Sequence, residues 1–204
     1  MHTGLSNSSE MAFEALTVGD VIISPKGAKI CPITREGDKV FHVHQNYLKC
    51  PWGPSTFDKD ESNPRQSLEF RTDSELLQTF EALDRWCLDY AYKNSETLFK
   101  KQLSLDVIKE RYVPVLKHHP SHDALLKTKI NMPGLHSSPA RIWNMAGEPC
   151  PLPTAWRNVE VKPRINVSHL WIMTNQFGLV LQVSDLLIRE EQTAFPWGDS
   201  MFTD

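Results

Sequence analysis

Glycine is scarce in this chain, nine residues in 204. Neither a G-x-G-x-x-G fingerprint nor a GxxxxGK[ST] loop can be assembled from them, which argues against dinucleotide and P-loop nucleotide sites. No G-x-S-x-G elbow occurs, and no cysteine stands in a recognised catalytic context. The four cysteines, Cys31, Cys50, Cys87 and Cys150, are far apart and form no CxxC pair. The opening MHTGLSNSSEMAF has neither a basic start nor an apolar core, so a secretory signal is not expected and reduced thiols are. No apolar run approaches the roughly 20 residues of a membrane helix. These absences predict an intracellular protein, not secreted and without membrane association, with no enzymatic activity, no cofactor and no metal.

What is present is a composition fit for a folded core, 40% hydrophobic and 23% charged. The length suits a single elaborated domain. The expected organisation is a disordered leader over 1–17, a domain over 18–189, and an acidic, aromatic tail over 190–204. The net charge of −3 is unevenly spread. Between 124 and 164 lie Lys127, Lys129, Arg141, Arg157, Lys162 and Arg164 against Glu148 and Glu160 only, whereas the tail holds Glu190, Glu191, Asp199 and Asp204 and no base. A basic middle with an acidic end says more about partners than the sum does.

Hydrophobic periodicity divides the chain. Short strands are expected over 21–23, 29–33 and 40–44, with Arg35-Glu36-Gly37-Asp38 as a turn. A long loop over 49–67, rich in proline and glycine, leads into a brief strand at 68–71. Thr72 with Glu75 reads as a capping box. Leu76, Phe80, Leu83, Cys87 and Ala91 then recur at three- and four-residue spacings, the stripe of an amphipathic helix to about residue 93. Two shorter helices are expected over 96–102 and 105–112, with Ser95 and Ser104 as caps. Strands follow at 125–131 and 140–144.

The most informative stretch is 159–188, VEVKPRINVSHLWIMTNQFGLVLQVSDLLI. It predicts two long strands joined by a turn at 175–178. Val161, Ile165 and Val167 share one face, and Lys162, Arg164, Asn166 and Ser168 the other, the pattern of a half-exposed antiparallel sheet. The alternation fails at Leu170-Trp171-Ile172-Met173, which predicts a bulge or a bend there. The fold class is therefore mainly β, with an inserted block of two or three helices at about 73–112.

Among candidate sites, His42-Val43-His44 puts two imidazoles on one strand face. No third ligand has a recognisable spacing, so these and the histidines at 118, 119 and 122 are expected to be solvated. The polar strand face is different. Lys127, Lys129, Arg141, Lys162 and Arg164 can follow phosphates, while Trp143, Trp171 and Phe177 can stack bases and Trp52 and Phe57 in the long loop can close over them. Cations with interleaved aromatic rings are what single-stranded nucleic-acid binding requires.

The order of segments carries a resemblance. ELLQTFEALDRWCLDYAYKNSETLFKK, VIKERYVPVLKHHP, LLKTKINM and the Trp-x-x-x-x-x-Phe-Gly hairpin at 171–178, preceded by CPWGPSTFD and SLEF, together resemble the OB-fold single-stranded-DNA-binding proteins of large DNA viruses and their phage and cellular relatives. The resemblance implies an OB-like barrel and binding of unpaired DNA in replication, recombination or repair. It also implies a tail recruiting replication proteins, here through Phe195, Trp197, Asp199, Phe202 and Asp204, although its acidic charge is thinner than that pattern prefers. RNA binding by the same fold remains open. So does a non-enzymatic assembly protein whose hairpin pairs between copies of the chain.

Overall fold

The computed structural model describes residue 13 and residues 15–24, 27–56, 59–156 and 159–190. Its spine is the predicted hairpin, β11 (Val159–Ile172) and β12 (Phe177–Glu190), paired antiparallel from Val159 opposite Glu190 to Ile172 opposite Phe177. Three strands line the free edge of β11 in succession. β5 (Leu48–Lys49) lies opposite residues 160–161, β4 (Asp38–Val43) opposite 164–167, and β3 (Lys29–Arg35) opposite 169–172. The free edge of β12 takes β7 (Tyr112–Val113), β9 (His122–Asn131) and β10 (Arg141–Trp143), each parallel to it. β9 carries β6 (Arg65–Arg71) and β8 (Leu116–His119), while β1 (Thr17–Val18) and β2 (Ile22–Ile23) pair with β3.

The resulting path β1-β3-β4-β11-β12-β9-β6 curls into a half-barrel. The chain leaving β5 crosses towards the far side and bridges β6 through Ser55 and Ser67. The mainly β class with its helical block is the one the periodicity implies. Three helices follow β6 among the described residues: α1 (Ser74–Lys93), α2 (Ser95–Phe99) and α3 (Leu105–Arg111). The stripe of α1, Leu76, Phe80, Leu83, Cys87 and Ala91, is buried. Removing such a face from water is what holds an isolated helix against a sheet. Tyr112 donates a 2.5 Å hydrogen bond to Asp84 of α1, which also accepts from the Val115 backbone, so β7 is tied to the helix.

Several expectations shift. The helix cap is Asp73, whose side chain accepts from the Leu76 backbone N–H, rather than Thr72, whose hydroxyl donates to the Ala124 carbonyl. The brief strand begins at Arg65, three residues earlier than expected. Phe13 and Leu16, placed in the leader, are buried in the core. The hairpin turn closes between Met173 and Gln176, so Phe177 opens β12 and is not at a tip. The register shifts at residues 164–165 and 167–169, ahead of the apolar run rather than within it. Ser168 and His169 both face outward there, and alternation resumes with Leu170 and Ile172 inward. At the β3–β4 turn, Glu36 and Gly37 have φ of 52° and 87°, the pair of positive values that a tight hairpin matched to strand twist requires.

Candidate nucleic-acid interface

With the core on one side, the strands present a continuous polar face on the other. Along β11 it shows Lys162, Arg164, Asn166, His169 and Trp171; on β9 it shows Lys127 and Lys129; and on β6 it shows Arg65, Ser67 and Glu69. Cross-strand neighbours set Lys129 opposite Ser67 and Gln182, and Lys127 opposite Glu69.

At the turn end of the hairpin, Trp171, Lys127, Lys129, Ser67, Glu69 and Pro114 line one cleft of about 190 Å³. Trp171 is half-buried on the outer face and lies against Gly178, its cross-strand partner. A Cβ at Gly178 would stand 2.7 Å from the Val113 carbonyl oxygen and 3.1 Å from the indole. Only glycine permits that approach.

Lys129 donates to the Ser67 hydroxyl at 2.8 Å. Burial lowers its pKa, and the neighbouring charges of Arg65 and Lys127 press it further down, against the opposing pull of Glu69. Burial also lowers that of Arg65, whose Nε has no hydrogen-bond partner. His169 is held down to about 4, first by burial and then by the Arg65 charge, so it is neutral near pH 7. Two lysines and one carboxylate thus line a partly desolvated cleft with the Arg65 charge nearby, and an incoming anion would relieve the repulsion among these cations.

Further along the face the charges are self-paired. Asp185 of β12 accepts from Arg141 at 2.6 Å, Arg164 at 3.3 Å, Ser184 at 2.9 Å and the Trp143 indole at 3.3 Å. Burial would raise its carboxyl pKa, but the bonds from Arg141, Ser184 and Trp143 hold it below the usual value. Each arginine also lies over a ring, Arg164 at 3.7 Å from the Phe41 centroid and Arg141 at 5.9 Å from that of Trp143. At the far end Lys162 and Arg189 lie over Tyr47 at 4.8 and 4.0 Å, and Arg189 pairs with Glu160. From Lys162 to Trp171 is nine residues, about 30 Å of strand, along which cations alternate with rings.

The structure therefore brings Lys127, Lys129 and Trp171 together at one end and Arg141, Trp143 and Arg164 at the middle, with Lys162 beyond. Trp52 is 47% exposed in the loop after β5, near where β11 begins, and Gly53 beside it packs against Trp156. Phe177 must be corrected: it is fully buried, its ring tilted or edge-on to Phe99 and Tyr112 at 5.3 and 5.2 Å. With the turn ending at Gln176, alternation sends its side chain inward, so it cannot stack on a base. Phe57, Phe195, Trp197, Asp199, Phe202 and Asp204 lie outside the described residues.

His42 and His44 are likewise not solvated. His44 is buried and bonds Asp73 at 3.0 Å, and His42 packs edge-on against Phe80. They serve the start of α1, with Asn46 also donating to Asp73. His119 and His122 stack at the exposed β8–β9 turn. Among the described residues no three His, Cys, Asp or Glu side chains converge as metal ligands, and no helix is long and apolar enough to cross a membrane.

Sequence reading missed Arg65, Phe41, Tyr47, His169 and Asp185. The signal for Arg65 was available, since the alternation of Leu68 and Phe70 runs back to Gln66 and leaves Arg65, Ser67 and Glu69 on the outer face. Nothing local marks Asp185, whose distant partners come from two other strands.

No protein-family model matches the sequence, nor does any curated protein. Among solved structures, the chain is similar to the single-stranded DNA-binding protein from bacteriophage Enc34 in complex with ssDNA. The identity is 11% and the TM-score 0.43, over 88% of this chain and 95% of that one. It is also similar to gp2.5, a single-stranded DNA binding protein encoded by bacteriophage T7, at 11% identity and a TM-score of 0.46, over 80% and 98%.

Proposed function

We propose that this protein binds single-stranded DNA along the outer face of its curled sheet, without sequence readout and without catalysis, in replication, recombination or repair. The observation that carries the reading is the crowding of Lys127 and Lys129 into one cleft beside the half-buried Trp171, with the Arg65 charge pressing on Lys129 from nearby. Phosphates would replace the missing counter-ions, and a base would stack on the indole. Stacking of this kind contributes roughly 1–3 kcal/mol per base and tolerates any base, because every base has a π-face. Farther along, Phe41, Trp143 and Tyr47 offer further rings, each already under a cation. Trp52 lies at the exit of this path.

The test is quenching of tryptophan fluorescence by oligo-dT at two salt concentrations. Saturable quenching is expected, with log affinity falling against log salt by about 0.7 per phosphate contact. An absence of quenching, or an affinity indifferent to salt, overturns the reading. A matched RNA strand titrated beside the DNA decides whether the cleft senses the 2′-hydroxyl.

A further inference from the structure

We propose that the cleft between the hairpin turn and the helical block is a second phosphate-binding site, taking the stretch of single strand that leaves the Trp171 cleft. The proposal rests on the function inferred above and adds a site to it. The cleft has a volume of about 640 Å³ and is lined by Lys29 of β3, Lys101 after α2, Arg111 at the end of α3, and Phe99 and Met173. It adjoins a second hollow of about 790 Å³, shared between α3 and the turn residues Thr174, Asn175 and Gln176. The three cations come from three separate elements, and the ion pairs among the described residues include none of them. The one acid in the lining is Glu110, on the hollow's side.

Geometry joins this cleft to the first. Met173 follows Trp171 by two residues, about 7 Å along the strand. Met173 is 62% exposed at the rim, an apolar surface that a base can cover. Between the two clefts runs β7, held to β12 by pairing of Tyr112 with Phe177 and of Val113 with Gly178. Arg111 immediately precedes that strand, while Val113 and Pro114 line the Trp171 cleft. A strand passing over this ridge would exchange the cations of β9 for those of α3 and β3. Cations that form no ion pair among the described residues, beside a polar turn, suit phosphates better than an apolar peptide, which would leave them desolvated without partners.

The experiment compares two oligo-dT lengths, about six and about twenty nucleotides, within and beyond what a single stacking groove holds. The variant carries Lys29→Ala, Lys101→Ala and Arg111→Ala. Affinity for the short strand is expected to stay within about twofold, while the long strand weakens by roughly tenfold or more and its salt slope falls by about 2, for three lost contacts. Equal effects on both lengths, or none on either, overturn the second site. Failure of the unaltered protein to bind either length overturns the function itself. Should the triple variant lose its fold by circular dichroism, Lys29→Gln with Lys101→Gln, both at exposed positions, repeats the comparison with a slope change of about 1.4.

Discussion

The turn end and the middle of the polar face hold similar numbers of cations in opposite states. Around Trp171, Arg65, Lys127 and Lys129 crowd one another with Glu69 as their one acidic neighbour, whose Oε2 accepts no hydrogen bond. Around Trp143, Arg141 and Arg164 converge on Asp185, which also takes the indole N–H and a serine hydroxyl. The first arrangement stores repulsion that an anion relieves; the second has already found its anion. Charge counted along a sequence does not distinguish them. A guanidinium bound to an internal carboxylate must exchange one partner for another when a phosphate arrives, so its contribution to binding is smaller than that of a cation without one.

The largest separation between these two regions is expected from the rings. Trp171→Ala should cost about 1–3 kcal/mol of oligo-dT affinity, roughly 5- to 150-fold, whereas Trp143→Ala should cost less, because Asp185 and Arg141 already engage its edge and face. Equal losses in a fluorescence-anisotropy titration would dissolve the distinction. If Trp171→Ala instead unfolds the protein, the indole is a structural element and the stacking role fails.

Next come the charges. Lys127→Ala with Lys129→Ala should reduce the salt slope by about 1.4, and Arg141→Ala with Arg164→Ala by less. Asp185→Asn should act in the opposite direction, releasing both arginines and tightening binding several-fold with a steeper salt dependence. Weaker binding by this variant would mean that Asp185 orients the arginines and does not compete with the strand.

A further contrast concerns pH and stability rather than binding. Burial holds both His42 and His169 near 4 in the folded chain, against about 6.5 when unfolded. The unfolded state therefore takes up protons first, and stability should fall as pH drops from about 6.5 to 4, with no further loss from these groups below that. Urea midpoints measured across this range should decline, and His169→Gln should remove the groove's share of the slope while His42→Gln removes that of the helix start. A slope unchanged in both variants would contradict the burial argument.

Much of this was legible without a structure. Period-two alternation placed Lys162, Arg164, Asn166 and Ser168 on one face, because a side chain's direction along a strand depends only on its count from its neighbour. Phe177 and the bulge show the limit of that count. A turn displaced by two residues moved the phenyl ring from a supposed tip to the core, and the extra outward residue at Ser168–His169 kept Trp171 on the polar face despite the apolar run around it.

Local chemistry alone was enough to specify a long half-exposed hairpin, an amphipathic helix after it, and cations with rings on the sheet's polar side. Those properties depend on spacing within one segment. Which cations lack a carboxylate was decided in the tertiary structure, since Arg65, Lys129 and His169 meet from three strands distant in sequence, as do Arg141, Arg164 and Asp185. An ion pair forms where backbones converge, and convergence is a property of the whole sheet.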